Sequence, residues 1–506
     1  MDSRAEKHWH RGIVHFRQGS LEAAHASFEA FLAREPGSGP GWFRLSLVEA
    51  RRGRHRRAIG HAEQSLRIDP DQVEVLAHLA RCHLRAGMPL RARALAVQAL
   101  ALPRDDAVVL DSLAGVMARL DEPALSLELF DRAIALDPMH ASLYFNRALA
   151  RRQFGQLEAA EVDLEACLQR QPAHAKAHWA LATLRGQDLA GHHVPRLRQM
   201  LANPLPAQEE TLSLALFKEL DDLGDTPAAT EALTRGLSAR ARVRRGDENA
   251  ASAHLHLVES LVGGLDASWL QSGAGCEDAA PVFIVGMPRS GVALLGSLLS
   301  RHPRLGWLGA QKPWAQHLQA ALGLDGRSLA AADVERAKDL DFRQLGADYL
   351  AAIAPGGSKA PIVCESAPLN TLQVGLIARA LPKARFLHMV RDPIDTCAAI
   401  LFQPGSDHEL PLHDAPALAA HHARYLRLMQ HWHDLLPGRV MDVSYESLVE
   451  KPEMILRVLC AFLGIRYASS LRMGLQLHTR SVGRGHRYLA QLTGLSDGLA
   501  SAVRAA

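Results

Sequence analysis

The feature that most constrains this chain is a 34-residue period in its first half. Prolines keep the phase at Pro36, Pro70, Pro138 and Pro172, which are 34, 68 and 34 residues apart. Turn residues keep it at Gly19, Gly53, Gly87, Asp121 and Gly155. Small residues follow five positions later, at Ala24, Ala58, Ala92, Ser126 and Ala160. A period that lasts five repeats indicates stacked helical hairpins, because each hairpin buries its apolar face only against its neighbours.

This spacing resembles the tetratricopeptide repeat. The glycine turns the chain between two helices, the small residue lets the helices approach, and the proline closes the second helix. Five repeats cover about 5–172 and a half-repeat covers Ala173–Leu184, so we assign 1–184 to the array. Repeat stacks bind extended peptides or helices, which implies a protein or peptide partner. A purely structural or dimerising role stays open.

The stretch from 185 to 270 loses the period but keeps helical patterns over 194–202 and 208–222. We expect a helical bridge that caps the array, followed by a Gly/Ser-rich linker over Gln271–Ala280. A second domain is expected over 281–490, and 491–506 is assigned as a tail.

Two strand–loop–helix junctions in the second half predict an anion site. Pro281–Gly286 is a buried strand that runs into the loop Met287–Ala293 and then a helical pattern. Loops of this kind cradle phosphates with backbone N–H groups. No Lys-Ser/Thr pair follows Gly291, so an ATP-type loop with magnesium is not indicated. A second strand, Lys383–Val390, ends at Arg391, and an arginine there is a good anion receptor.

The two junctions together resemble the sulfotransferase family. Segment 281–303 is similar to the loop that holds the 5′-phosphosulfate of 3′-phosphoadenosine 5′-phosphosulfate (PAPS), and 384–403 to the family's 3′-phosphate motif. Repeats followed by this domain resemble a bacterial group related to tyrosylprotein sulfotransferases. The resemblance implies an α/β parallel-sheet, P-loop-like domain behind an α-helical solenoid, with PAPS as the donor and no metal. It implies a nucleotide site of Met287, Pro288, Arg289, Ser290, Gly291, Val292, Ala293, Arg391 and Arg484, with Arg289 catalytic.

Several positions depart from the family pattern. Val292 and Ala293 replace threonines, Ala399 a serine, Ser366 a lysine, and Ala310–Gln311 the glutamate base. Glutamine cannot accept a proton near neutral pH. Glu365 and His388 are candidate substitute bases, although core packing explains both as well. For Arg289 and Arg391, a surface ion pair is the other interpretation.

Two functions therefore stay open. The first is PAPS-dependent transfer of a sulfuryl group to a hydroxyl, with a peptide held by the repeats as one candidate acceptor. The second is a catalytically silent relative that acts as a scaffold or nucleotide sensor. The sequence names neither the acceptor nor the oligomeric state, and a homo-oligomer is compatible with it.

Composition excludes some classes of partner. The net charge is only +3, which does not favour nucleic acid or an anionic membrane surface. The chain has no apolar run of about 18 residues and no signal-type N-terminus, so we expect a cytoplasmic protein. Its six scattered cysteines predict reduced core residues.

Overall fold

The computed structural model describes residues 3–102, 106–189, 191–243, 248–309, 313–324, 327–353, 361–405, 414–472 and 479–505. The chain divides into two compact units. The first consists of Met1–His193 with Leu324–Arg327, and the second of Val194–Gly323 with Ser328–Ala506.

The first unit contains paired helices. They are α1 (Ser3–Arg17), α2 (Leu21–Leu32), α3 (Gly39–Arg51), α4 (His55–Ile68), α5 (Val73–Arg85), α6 (Pro89–Leu100), α7 (Ala107–Arg119), α8 (Pro123–Leu136), α9 (Ala141–Gln153), α10 (Leu157–Arg170) and α11 (Ala175–Ala182). The predicted array is confirmed, with five hairpins and one further helix.

The turn positions explain the one gap in the glycine pattern. Gly19, Gly53, Gly87 and Gly155 have φ between 75° and 78°, and Asp121 has φ 59°. Asp tolerates the left-handed region better than most residues, so it replaces glycine at this turn. The small residue of every repeat, from Ala24 to Ala160, is 0% exposed, as close helix packing requires.

The second unit is built on a five-stranded parallel sheet. Its strands are β1 (Val282–Gly286), β2 (Leu305–Trp307), β3 (Ile362–Ser366), β4 (Arg385–Val390) and β5 (Val440–Ser444), in the order β2-β3-β1-β4-β5. All four pairings are parallel. The central strand β1 is buried along its whole length, which explains its run of apolar residues.

The second unit also contains helices. They are α12 (Val194–Ala202), α13 (Pro206–Asp222), α14 (Thr226–Val243), α15 (Glu248–Gly264), α16 (Ala267–Gln271), α17 (Val292–Leu299), α18 (Pro313–Leu322), α19 (Ala331–Lys338), α20 (Phe342–Ile353), α21 (Val374–Ala380), α22 (Pro393–Leu401), α23 (Ala415–Leu435), α24 (Tyr445–Glu450), α25 (Pro452–Phe462), α26 (Arg484–Arg487) and α27 (Leu495–Ala505). The α/β class predicted for this half is confirmed.

The stretch that follows the repeats is helical, as the sequence pattern indicates. Helix α13 packs within the second unit, where Phe217 contacts the rings of Phe402 and Tyr488 at centroid distances of 4.7 and 5.0 Å. A role of this stretch as a cap of the array, like the domain boundaries, stays a prediction.

All six cysteines are buried and unpaired, as expected for reduced core residues. Among the described residues, none of the helices is long and apolar enough to cross a bilayer.

Candidate functional site

The two predicted anion motifs meet at one edge of the sheet. Strands β1 and β4 are parallel neighbours, and Gly286 pairs with Met389 near their carboxyl ends. The loop after β1 and the residue after β4 therefore leave the sheet side by side. Nη1 of Arg391 donates a hydrogen bond to the carbonyl oxygen of Arg289 at 2.9 Å. Parallel sheets bind ligands outside the carboxyl ends of their strands, so this edge is a candidate site.

The loop between β1 and α17 follows an unusual backbone path. Gly291 has φ 108°, and a Cβ there would lie 2.7 Å from Cδ2 of Tyr445, so only glycine fits. Arg289 has φ 68°, in the left-handed region that a non-glycine residue occupies at a cost of about 1–3 kcal/mol. Backbone strain of this kind concentrates at functional sites.

Arg391 is anchored by backbone groups. Besides its bond to the loop, its Nη2 donates to the carbonyl oxygen of Ser481 at 2.6 Å. Its guanidinium lies 4.6 Å from the ring centroid of Tyr445, and its side chain is 6% exposed. Asp395 Oδ2 is 4.0 Å from Nη2. These contacts do not describe a surface ion pair. They describe a buried cation that joins the loop to the C-terminal segment.

Three arginine side chains bring their charges together here. Desolvation by the surrounding protein lowers the pKa of Arg289, and the charges of Arg391 and Arg484 lower it further. Arg484 is partly neutralised, because its Nε donates to Oδ2 of Asp221 at 2.7 Å. Across the described ranges, the Arg289 guanidinium has no ion pair and no hydrogen bond. Arg391 and Arg484 have carboxylates nearby and Arg289 has none among the described contacts, so Arg289 is the cation that a bound anion would compensate.

Asp395 fastens the C-terminal segment to this edge. Its carboxylate accepts hydrogen bonds from the N–H groups of Gly483 at 2.6 Å and Gly485 at 2.7 Å. These bonds hold Arg484 within range of the other two arginines. Sequence reasoning missed this role, and no local pattern signals it, because 88 and 90 residues separate the partners.

The other predicted loop residues have varied surroundings. The Ser290 hydroxyl is buried and donates to the carbonyl oxygen of Met287 at 2.8 Å, so it closes the loop's own turn. Met287 is itself buried, and Val292 packs in the apolar core beside the sheet. Pro288 is half-buried and Ala293 is exposed. None of these side chains adds a free hydroxyl to the loop.

The other positions that differ from the family pattern also add no free polar group to the site where the structure describes them. Ser366 lies at the end of β3, where its Oγ accepts a hydrogen bond from Nε1 of Trp307 at 2.8 Å. Ala399 lies on α22 and is half-buried. Ala310 and Gln311 lie outside the described residues.

The two candidate bases have different environments. Glu365 is completely buried and accepts hydrogen bonds from Nδ2 of Asn370 at 3.0 Å and the N–H of Trp314 at 3.3 Å. His388 is also buried, but its two ring nitrogens contact Asp442 and the Tyr425 hydroxyl. Neither sequence pattern nor spacing identified Tyr425 or Asp442.

Two groups of side chains have the composition of metal ligands. One is His388, His433 and Asp442, and the other is Asp392, Asp395 and His486; each group has its ligand atoms within 4.8 Å of one another. In both groups the carboxylates already accept hydrogen bonds from protein N–H groups. The prediction of a metal-free site stays a prediction.

Family models match segments in both halves of the chain. A model of the sulfotransferase family matches residues 281–469. Models of the tetratricopeptide repeat match 11–73, 49–120 and 118–175.

Two sequence relatives illustrate the range of similarity. An uncharacterized protein of Aquifex aeolicus is 26% identical over 204 residues, covering 38% of this chain and 26% of that protein. A protein-tyrosine sulfotransferase of Drosophila melanogaster is 28% identical over 198 residues, covering 36% of this chain and 38% of that protein. The chain spans less than half the length of these two relatives.

Among solved structures, a tetratricopeptide repeat protein of Parabacteroides merdae aligns with 47% of this chain and 93% of its own. Its sequence identity is 14% and its TM-score is 0.35.

Proposed function

The chain carries a sulfotransferase-family domain behind a tetratricopeptide-repeat array, and from that premise we propose that it transfers a sulfuryl group from PAPS to a hydroxyl acceptor. The observation that supports this most is the convergence of Arg289, Arg391 and Arg484 at the carboxyl edge of β1 and β4. An excess of cations at a strained loop fits a ligand with several negative charges.

The residues of the site fit a phosphorylated nucleotide. The N–H of Ser290 donates to the carbonyl oxygen of Met287, and the other backbone N–H groups of 287–291 and the first turn of α17 offer donors to a phosphate. Arg391 is the natural partner of a second phosphate, since it is held between the loop and Ser481. When bound, PAPS supplies the sulfuryl group, which passes in line to the acceptor oxygen while its bond to the phosphate oxygen breaks. Arg289 then offsets the charge that grows on that oxygen.

We further propose that the repeat array presents a peptide that carries the acceptor hydroxyl. Tetratricopeptide arrays commonly bind extended segments, which supports this assignment. A cytoplasmic location is part of the same proposal.

A second candidate is a nucleotide-binding relative without transfer activity. Three observations favour it: the Ser290 hydroxyl is bonded within the loop, Val292 is in the core, and Ser366 is bonded to Trp307. Each residue stands where the family supplies a group that touches the phosphosulfate. Losing one such group costs about 10²–10³ in rate.

Two measurements test the proposals. Isothermal titration with PAP, the desulfated nucleotide, measures binding without transfer. Transfer of radiolabelled sulfate from PAPS to a tyrosine peptide and to 2-naphthol measures catalysis. Binding with transfer supports the first candidate, and binding without transfer supports the second. No binding at millimolar PAP would reject both.

A further inference from the structure

A chain of hydrogen-bonded side chains runs from the protein surface to a cavity beside the anion loop. It begins at Asp442 on β5, whose side chain is 57% exposed. His388 on β4 is the register partner of Asp442, so both side chains leave the same face of the sheet. Nδ1 of His388 is 2.7 Å from Oδ1 of Asp442, and its Nε2 is hydrogen-bonded to the hydroxyl of Tyr425 on α23.

The chemistry of these groups decides which atom carries each proton. The hydrogen bond from His388 lowers the pKa of Asp442, which is therefore ionised at neutral pH and only accepts hydrogen bonds. In the tautomer of His388 that donates from Nδ1 to this carboxylate, Nε2 keeps its lone pair. The Tyr425 hydroxyl donates to that lone pair. Burial raises the pKa of Tyr425, so it is a neutral hydroxyl rather than a phenolate.

The far end of this chain lies beside the loop. Tyr425 lines a cavity whose wall includes Gly286 and the first two residues after β1, Met287 and Pro288. The hydroxyl therefore stands between an imidazole lone pair and the space beside the loop.

The rest of the cavity wall is uncharged and holds a polar group without a partner. His254 and His421 line it, and burial lowers their pKa values to about 4 and about 3, so both are neutral at pH 7. Nδ1 of His421 is buried and has no hydrogen-bond partner among the described residues. Apolar side chains such as Val258 and Leu428 complete the wall. The cavity has a volume of about 30 Å³, so it admits a hydroxyl group and not a whole acceptor molecule, and its uncharged wall suits a neutral hydroxyl better than an ion.

We propose that Tyr425 is the residue that takes the acceptor's proton and passes it to His388, which Asp442 orients. This inference rests on the proposed sulfuryl transfer. The acceptor O–H bond breaks as its proton moves to the Tyr425 oxygen, and the Tyr425 proton moves to Nε2 of His388. The acceptor oxygen forms its bond to sulfur, and the electron pair of the broken sulfur–oxygen bond stays on the leaving phosphate. Asp442 stabilises the imidazolium, and the proton returns to solvent after product release.

Tyr425, His388 and Asp442 form a proton relay, and this relay provides the base that the sequence lacks at Gln311. Glu365, the other candidate, is enclosed by Asn370 and Trp314 and does not line the cavity. Tyr425 acts as the catalytic residue in this scheme, whereas His388 and Asp442 act through it.

Three substitutions test the relay in the full-length protein. We expect His388→Gln, Tyr425→Phe and Asp442→Asn each to lower sulfuryl transfer to 2-naphthol or a tyrosine peptide by about 10²–10⁴-fold, the usual contribution of a general base. The Asp442→Asn change lies at a half-exposed site, so it tests the relay even if a buried substitution prevents folding. PAP affinity should stay within about threefold in all three, because binding energy to the nucleotide is unchanged.

The chain offers a matched control. His433 also hydrogen-bonds to Oδ1 of Asp442, with its Nε2 at 2.8 Å, but it has no contact with Tyr425. His433→Gln should leave transfer within about threefold of wild type. Added imidazole should restore part of the activity of His388→Gly, which a merely structural role of His388 would not allow.

The possible outcomes separate the two levels of the proposal. Wild-type transfer with equal transfer by His388→Gln overturns the relay and leaves the proposed function intact. Loss of PAP binding together with transfer overturns the relay in favour of a structural support for the loop. A wild-type protein that transfers nothing to either acceptor overturns both.

Discussion

Removing Arg391 is the most direct way to test the nucleotide site. The side chain is 6% exposed and spans two backbone carbonyls, those of Arg289 at 2.9 Å and Ser481 at 2.6 Å. Arg391→Ala removes both bonds and one of the three converging charges. Under the proposed function Arg391 also donates to a phosphate of the nucleotide, and losing that charge-assisted hydrogen bond should weaken PAP binding by about 1.5–3 kcal/mol. This corresponds to roughly 10- to 150-fold in Kd.

Two further variants identify the cause of the loss. Arg391→Lys keeps the charge but lacks the planar fork that reaches both carbonyls, so we expect an intermediate Kd. Arg472→Ala removes a surface arginine of the same unit, 3.7 Å from Glu453, and should leave the Kd unchanged. Isothermal titration with PAP measures all of them at fixed salt, because anion binding weakens as ionic strength rises.

The refuting result is specific. If Arg391→Ala binds PAP as tightly as wild type while thermal unfolding shows an intact fold, the convergence of arginines is structural. The anion site would then have to be sought elsewhere in the molecule.

Three other perturbations have defined outcomes. Gly291→Ala forces a Cβ to 2.7 Å from Tyr445 at φ 108° and should destabilise the protein by about 1–3 kcal/mol; an unchanged Tm would contradict the loop geometry. His254 and His421 have pKa values lowered by burial from 6.5 to about 4 and about 3, so unfolding takes up protons at acidic pH. The free energy of unfolding should be highest above about pH 6.5 and should decrease as the pH falls toward 4. His421→Gln should make this decrease with pH smaller, as measured by urea titrations at several pH values. A chain that starts at Val194 should bind PAP within about threefold of the full chain but lose action on the peptide acceptor, and equal action would leave the array a structural role.

Regularity along the chain made the first half predictable. Five repeats in one phase identified the hairpins, and even the missing glycine at Asp121 was bridged by the period. The two anion motifs were equally visible, because each is a local run of strand, loop and helix. Their adjacency followed from the rule that parallel strands end at one edge.

What the sequence could not reveal are contacts between distant residues. His388 meets Tyr425 and Asp442 across 37 and 54 positions, and no local pattern connects them. The sequence also did not predict which surfaces the helices after residue 193 pack against. An amphipathic helix shows which face it buries, but it does not show which surface covers that face.

The ion pair between Arg484 and Asp221 bears on where the cooperative folding unit of the second half begins and ends. The family match ends at 469 and starts at 281, yet Asp221 on α13 also accepts a hydrogen bond from Tyr488 at 2.6 Å and lies 3.3 Å from Arg487. A fragment cut at the family boundaries would lose the only carboxylate that these three residues share among the described contacts. In such a fragment the segment 484–488 would lose its contacts with α13, and Arg484 would no longer be held at the anion site, although the sheet itself would be unchanged. The helices before residue 281 and the segment around Arg484 are therefore far apart in sequence but belong to one compact unit.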